Sequence, residues 1–195
     1  VVALGQDIGV NGSDYVDVDE AAGIASVVEH LLGNGFHRLA FVGGEREDFT
    51  SSLRHSGYHD ALLAAGLVPK PEHSVFTSFT RDGGAEGART LLDCAELPDA
   101  IVCANDLIAI GVIDTLRGRG ISIPETIAVT GYDDIEAASL ITPALTTVDN
   151  PAREIGRTSA RLLLDRLNGS VDNVTRHVRL SQHLVPRESS TVTPH

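Results

Sequence analysis

Methionine is absent from the 195 residues, and only two cysteines occur. Without a methionine, Val1 is not expected to be an unprocessed native start, and the expectation is the later part of a longer protein. Cys94 and Cys103 exclude a disulfide framework. Each sits beside an apolar run, as a small packing residue would, and a reducing, cytoplasmic setting is the simplest. Basic residues are also scarce: 15 Lys and Arg against 27 Asp and Glu give a net charge of −12. Phosphate backbones need concentrated positive charge, so this stretch is not expected to bind nucleic acid itself. No apolar run reaches membrane-spanning length. Three Asn-x-Ser/Thr sequences, at Asn11, Asn168 and Asn173, matter only in a glycosylating pathway and are read as coincidence.

What is present suits a folded core. Hydrophobic residues make up 42% of the chain, and apolar strands alternate with amphipathic helices, a rhythm that favours a parallel sheet flanked by helices. Asp19-Glu20 opens a helix on which Ile24, Val27, Val28, Leu31 and Leu32 keep the helical period, with Gly33 and Gly35 ending it. Arg38 to Val42 reads as a strand running into Gly43-Gly44. Ser51 or Ser52 can cap the next helix, which carries Tyr58 and Leu62 and stops at Gly66. A short strand at Val75 to Thr77 precedes a helix from Gly83 to Cys94, a strand at Ala100, a helix from Asp106 to Arg117 and a strand at Ile127. Leu145 to Val148 is extended and leads into a last long helix, where Pro151 suits the first turn. The apolar strand at Val1 to Gly5 has no obvious partner near it in sequence, and the last helix lies beyond the rhythm. Both make sense as parts of a second lobe.

Two strands end in chemistry. Ala100 to Val102 runs into Cys103-Ala104-Asn105-Asp106 and a helix, and Ile127 to Thr130 runs into Gly131-Tyr132-Asp133-Asp134. Ligands of open α/β sheets bind at the carboxyl ends of strands. Neighbouring ends that carry amide and carboxylate groups therefore predict a polar crevice for a small molecule. Asn105 and Asp133 could instead be caps of a helix or turn; Asp106 and Asp134 fit that role better and are left out of the site.

Read in order, further pieces carry a resemblance. They are Glu29-His30-Leu31 with Gly35-Phe36-His37-Arg38-Leu39-Ala40-Phe41-Val42-Gly43-Gly44, and Arg54-His55-Ser56-Gly57-Tyr58. Ala104-Asn105-Asp106 through Gly111, Gly131-Tyr132-Asp133-Asp134, Thr142-Pro143-Ala144-Leu145-Thr146-Thr147-Val148 and Arg187-Glu188-Ser189 follow. Together the chain resembles the effector-binding region of LacI/GalR-family transcriptional regulators, which have the type I periplasmic-binding-protein-like fold. The resemblance implies two lobes with an effector held between them, one lobe complete and the other a remnant. On this expectation residues 1–17 and 152–178 belong to the N-terminal lobe, and residues 18–151 and 179–195 form the C-terminal lobe. The resemblance also implies a DNA-binding domain ahead of this stretch, so operator DNA is expected as a partner only through that domain.

Carried over by motif, the expected effector contacts are Arg54, Phe79, Asn105 and Asp133, with Asn150 at the crossover. Sugar chemistry suits them: two carboxylate oxygens take adjacent hydroxyls, an amide donates and accepts, a guanidinium supplies a rigid fork of donors, and an aromatic face covers C–H surface. Arg54 could equally be an exposed helix arginine, and Phe79 a core residue. Gln6 stands where several family members place an acidic group, and Asp48 and Thr50 lie in a loop that varies with effector. The expectation is a non-catalytic, sugar-sensing, homodimeric regulator working by population shift, with no cofactor and no metal; the alternative is a sugar receptor of a transport system.

Other constellations are weaker. His55 and His59 have metal-ligand spacing, but solvent-facing histidines explain them. Gly43-Gly44 is an incomplete phosphate loop. Asp106, Asp133 and Asp134 could suggest a glycosidase pair, but no other catalytic motif accompanies them. Finally, Leu107, Ile108, Ile110, Val112, Ile113 and Leu116 make a helix face wider than a single stripe, and 137–141 is similarly apolar. A second subunit could cover both, or the helix could be buried within its own lobe.

Overall fold

Leu39-Ala40-Phe41-Val42-Gly43 and Ala100-Ile101-Val102-Cys103 contain no charged residue and are buried along their whole length. A strand covered on both faces requires that pattern. In the structure, a computed structural model, residues 1–5, 9, 13–169 and 174–191 are described; Gln6, Asn11 and Asn173 lie outside the described residues. The chain runs through β1 (Val2–Leu4), β2 (Asp14–Val18), α1 (Glu20–Gly33), β3 (Leu39–Gly43), α2 (Phe49–Ala64), β4 (Ser74–Phe76) and α3 (Arg81–Leu92). It continues through β5 (Ala100–Cys103), α4 (Asp106–Gly118), β6 (Ala128–Thr130), α5 (Glu136–Leu140) and β7 (Thr147–Val148), then α6 (Ala152–Leu167), β8 (His177–Leu180) and β9 (Leu184–Val185). Two units result: Val1–Asp19 with Asn150–Gln182, and Glu20–Asp149 with His183–His195.

The larger unit holds a parallel sheet in the order β4-β3-β5-β6, registered Leu39 to Ala100 and Ala100 to Ala128. Phe41 tilts against Tyr58 of α2, 5.4 Å between ring centroids. The next residue, Val42, occupies the space that a side chain on Gly87 of α3 would need. Successive strand residues thus serve opposite helix layers, as the pleat dictates, with α1 packed on α2 and α3 on α4. The chain moves from β3 outward to β4, then crosses back to β5 on the other side of β3. This reversal is a topological switch point, and the loops after β3 and β5 flank it.

Packing explains the wide apolar face of α4. Ile108, Ala109, Val112, Ile113 and Leu116 are all buried inside this unit. The helix reaches α3 through glycines: a Cβ on Gly111 would stand 1.9 Å from the Arg81 carbonyl oxygen, and one on Gly84 2.0 Å from that of Ile108. Leu107 stays 44% exposed.

The smaller unit corrects two expectations. The strand at Val2–Leu4 is paired, in parallel with β2, and β2 pairs in parallel with β8. A boundary after residue 178 would have cut β8; the strand lies wholly in this unit because β2 holds it. Asp14, fully buried on β2, accepts from Arg166 of α6 and from Arg176. The Arg166 bond, and then those of Arg176, hold its carboxyl well below the usual range against the effect of burial. Tyr15 stacks on His177 at 4.1 Å.

Helix starts also differ from expectation. Asp48, not Ser51 or Ser52, caps α2, its side chain accepting from the Ser51 amide at 2.8 Å. Thr80 caps α3, and α6 begins one residue later than expected, with Pro151 in the capping position.

Candidate functional site

Arg54 of α2 reaches the ends of β5 and β6, where Ala104-Asn105 and Asp133 stand. Arg54, in the second turn of α2, is only 4% exposed, so the alternative of an exposed helix arginine does not hold. Its Nε donates to Glu20 Oε2 at 2.8 Å, Nη1 to the Ala104 carbonyl oxygen, and Nη2 lies 3.5 Å from Asp133 Oδ1. The guanidinium also sits 3.7 Å from the ring centroid of Tyr132, a cation–π contact. Burial disfavours the charge, but Glu20 and then Asp133 outweigh it and hold the pKa above its ordinary value. Arg54 is therefore a fixed cation whose fork is oriented from three sides.

Asn105 is 8% exposed and does cap α4: its Oδ1 accepts from the Ile108 amide at 2.8 Å. Capping and ligand binding are compatible, because the cap uses the oxygen and leaves the amide nitrogen as the group to offer. Asp133 is partly exposed and has φ +109°, and Asp134 follows at φ +49°. The left-handed region is unfavourable for residues with a Cβ, so this turn is held by its surroundings. The Asp133 amide donates to Val148 at 2.9 Å, and the Asp134 carboxylate accepts from Arg187 at 2.7 Å.

Phe79 lies against the backbone of Gly44, where a Cβ would come within 2.1 Å of its ring. It is packed on the core and partly exposed. Asn150 belongs to the smaller unit. Asp48, in the loop thought to vary with effector, serves as the α2 cap.

Asp106 and Asp134 are not caps. Asp106 is completely buried; its carboxylate accepts from Thr147 Oγ1 at 2.6 Å and from the Ile135 amide at 2.9 Å. Glu20, which bonds to Arg54, and Asp106, which the sequence reads as a cap, are neighbours of these groups that the sequence does not place in the site. Nothing in local spacing could have found Glu20, which reads as an acid placed at a helix N-terminus. His55 is half-buried rather than solvent-facing: it meets Phe76 edge-on at 5.0 Å and hydrogen-bonds Ser74 at 3.2 Å. Burial depresses its pKa. Cys103 is buried and its thiol is pushed well up by that burial, an inert packing group. Among the described residues no cluster of three or more His, Cys, Asp or Glu side chains could hold a metal ion, and no helix is long and apolar enough to cross a membrane.

A parallel sheet with buried polar groups gathered at its switch point defines the class: an α/β domain of the periplasmic-binding-protein-like kind. Residues 28–190 match the family described as periplasmic binding protein-like domain. The HTH-type transcriptional regulator CelR of Thermobifida fusca is 38% identical over 175 residues, 90% of this chain and 51% of that protein. The HTH-type transcriptional repressor MelR of Bacillus subtilis is 32% identical over 187 residues, 92% of this chain and 54% of that protein. The solved complex of transcriptional regulator CelR with cellobiose superposes with a TM-score of 0.90 at 36% identity, covering 96% of this chain and 58% of that one. The chain belongs to the LacI-type family of periplasmic-binding-protein-like domains. It spans about half the length of the curated relatives it matches.

Proposed function

We propose that this chain is the effector-sensing region of a LacI-type transcriptional regulator and that its effector is a sugar. The observation that carries this reading is the buried Arg54, anchored by Glu20 and Ala104, standing 3.5 Å from a partly exposed Asp133. A fixed fork of donors beside a carboxylate acceptor suits adjacent hydroxyls, which both donate and accept. Asn105 adds an amide at the neighbouring strand end, and Phe79 an apolar surface. Asn150 completes the set of contacts that the family resemblance implies. The similarity to a regulator solved with cellobiose supports a sugar of that size. The groups are binding groups, and no catalytic role is assigned to them.

Sensing then works by population shift: an effector that prefers one arrangement of the protein changes how a DNA-binding domain elsewhere in the whole protein meets its operator. A regulator of that kind works in the cytoplasm, and we read the protein as a homodimer. Calorimetric titration of the whole protein with cellobiose, alongside pentoses, hexoses and other disaccharides, tests the reading. Arg54→Ala and Asp133→Ala are each expected to weaken the bound sugar by roughly tenfold to a hundredfold, the scale of a lost charged hydrogen bond. A wild type that binds none of the sugars refutes the sugar assignment, and unchanged affinity in both variants refutes the site.

A further inference from the structure

We propose that Asp106 is a positioning residue: its buried carboxylate holds the 132–135 turn in the shape that presents Asp133. This rests on the reading of Asp133 as an effector contact.

A carboxylate with no solvent exposure is costly unless its lone pairs are satisfied. Asp106 is 0% exposed, and the donors it meets are a threonine hydroxyl and a backbone amide rather than a cation. Helix capping does not account for it, because Asn105 already caps α4. What the residue does is bracket the turn. Its own amide donates to the Tyr132 carbonyl at 2.8 Å, while its Oδ2 accepts from the Ile135 amide at 2.9 Å. One residue therefore grips both sides of Asp133 and Asp134, the two non-glycine residues of the described chain with positive φ.

The third bond extends the grip to β7. Thr147 donates to Asp106 Oδ1 at 2.6 Å, and the same hydroxyl oxygen lies 3.4 Å from the Asp134 amide. The carboxylate also nests against the residue just before the turn: a Cβ on Gly131 would lie 2.2 Å from Asp106 Oδ1. A left-handed pair persists where its surroundings over-determine it, and three hydrogen bonds from Asp106 supply that constraint. Loosening them frees Asp133 to leave the Arg54 fork.

Amide exchange in the unliganded whole protein tests this without any effector. In Asp106→Ala, exchange at the Asp133 and Asp134 amides, neither of which bonds to Asp106, is expected to rise about tenfold or more while the amides of β5 stay unchanged. Unchanged exchange at Asp133 overturns the proposal. Titration with cellobiose supplies the second arm: Asp106→Ala is expected to lose about tenfold in affinity or more. Asp106→Asn, which can still accept from Ile135 and donate to Thr147, is expected to stay within about threefold of wild type. An Asn variant as weak as the Ala variant overturns the proposal. Should Asp106→Ala fail to fold, Thr147→Val removes one of the two donors at nearly constant volume and is read in the same way. A wild type that binds no sugar defeats the sugar reading alone, and the exchange arm still decides the role of Asp106.

Discussion

Burial pushes the Asp106 carboxyl up to about 6, against the opposing bonds from Thr147 and Ile135; the charges of Asp133 and Asp134 add to the rise. A raised carboxyl pKa means that the folded protein binds a proton the unfolded chain releases. Its contribution to stability is therefore lost as pH rises from about 4 to about 6, by roughly 2–3 kcal/mol at most. Urea unfolding of Asp106→Asn against wild type across that window is expected to show this slope removed in the variant. An identical slope in both proteins means that another group titrates there. At this scale the sequence exposes only part of the site. Asn105 and Asp133 stand out because each follows an apolar strand, a position readable from neighbours in the chain. Arg54 was found through the order of family motifs, not through its own surroundings. Glu20 escapes notice, and Asp106 reads as a cap, because their partners lie far along the chain, 34 residues away for Arg54 and 41 for Thr147. Asp48 was placed in the effector loop, although an acid three residues before the Ser51 amide is also an ordinary helix cap.

Elements buried on both faces were legible, and those built from ion pairs were not. β3 and β5 are uninterrupted apolar runs, whereas β2 reads Asp-Tyr-Val-Asp-Val and β8 His-Val-Arg-Leu. Their polar residues bond to one another: Arg179 meets Asp17 at 2.8 Å and His177 meets it at 2.8 Å. The pairing that makes these strands is invisible until both are seen side by side. Most of the apolar width of α4 is taken up by the sheet and α3, which both press on it. Gly111 makes the closer approach possible. Gly111→Ala gains about 1 kcal/mol in helix propensity, but the new methyl meets a backbone oxygen that cannot rotate away. Overpacking of that kind costs about 1–3 kcal/mol, so net destabilisation is expected, read as a lower urea midpoint. A midpoint at or above wild type would show that α3 and α4 can separate freely.

At the scale of the whole molecule, Leu107 on α4, 44% exposed, and Leu140 on α5, 73% exposed, are among the leucines that stay at the surface after the core has closed. They belong to the two stretches that the sequence reading offered to a second subunit. If the proposed dimer uses them, the whole protein sediments as a dimer at micromolar concentration and Leu140→Glu shifts it toward monomer. A wild-type monomer would refute the proposal. The strand and the helix that fall outside the rhythm both belong to the smaller unit. Its boundaries were harder to read, since strand pairing across the chain decides them. One such pairing has a consequence for how the protein is made. Asp14 receives its amide bond from Arg176 and shares that residue's guanidinium, 162 positions later, while the pairings of β3 with β4 and β5, and of β5 with β6, lie within residues 39–130. On the ribosome, the four-stranded sheet can close while β2 still waits for β8. Until then, Asp14 and the apolar residues beside it stay exposed to the chaperones that attend a growing chain.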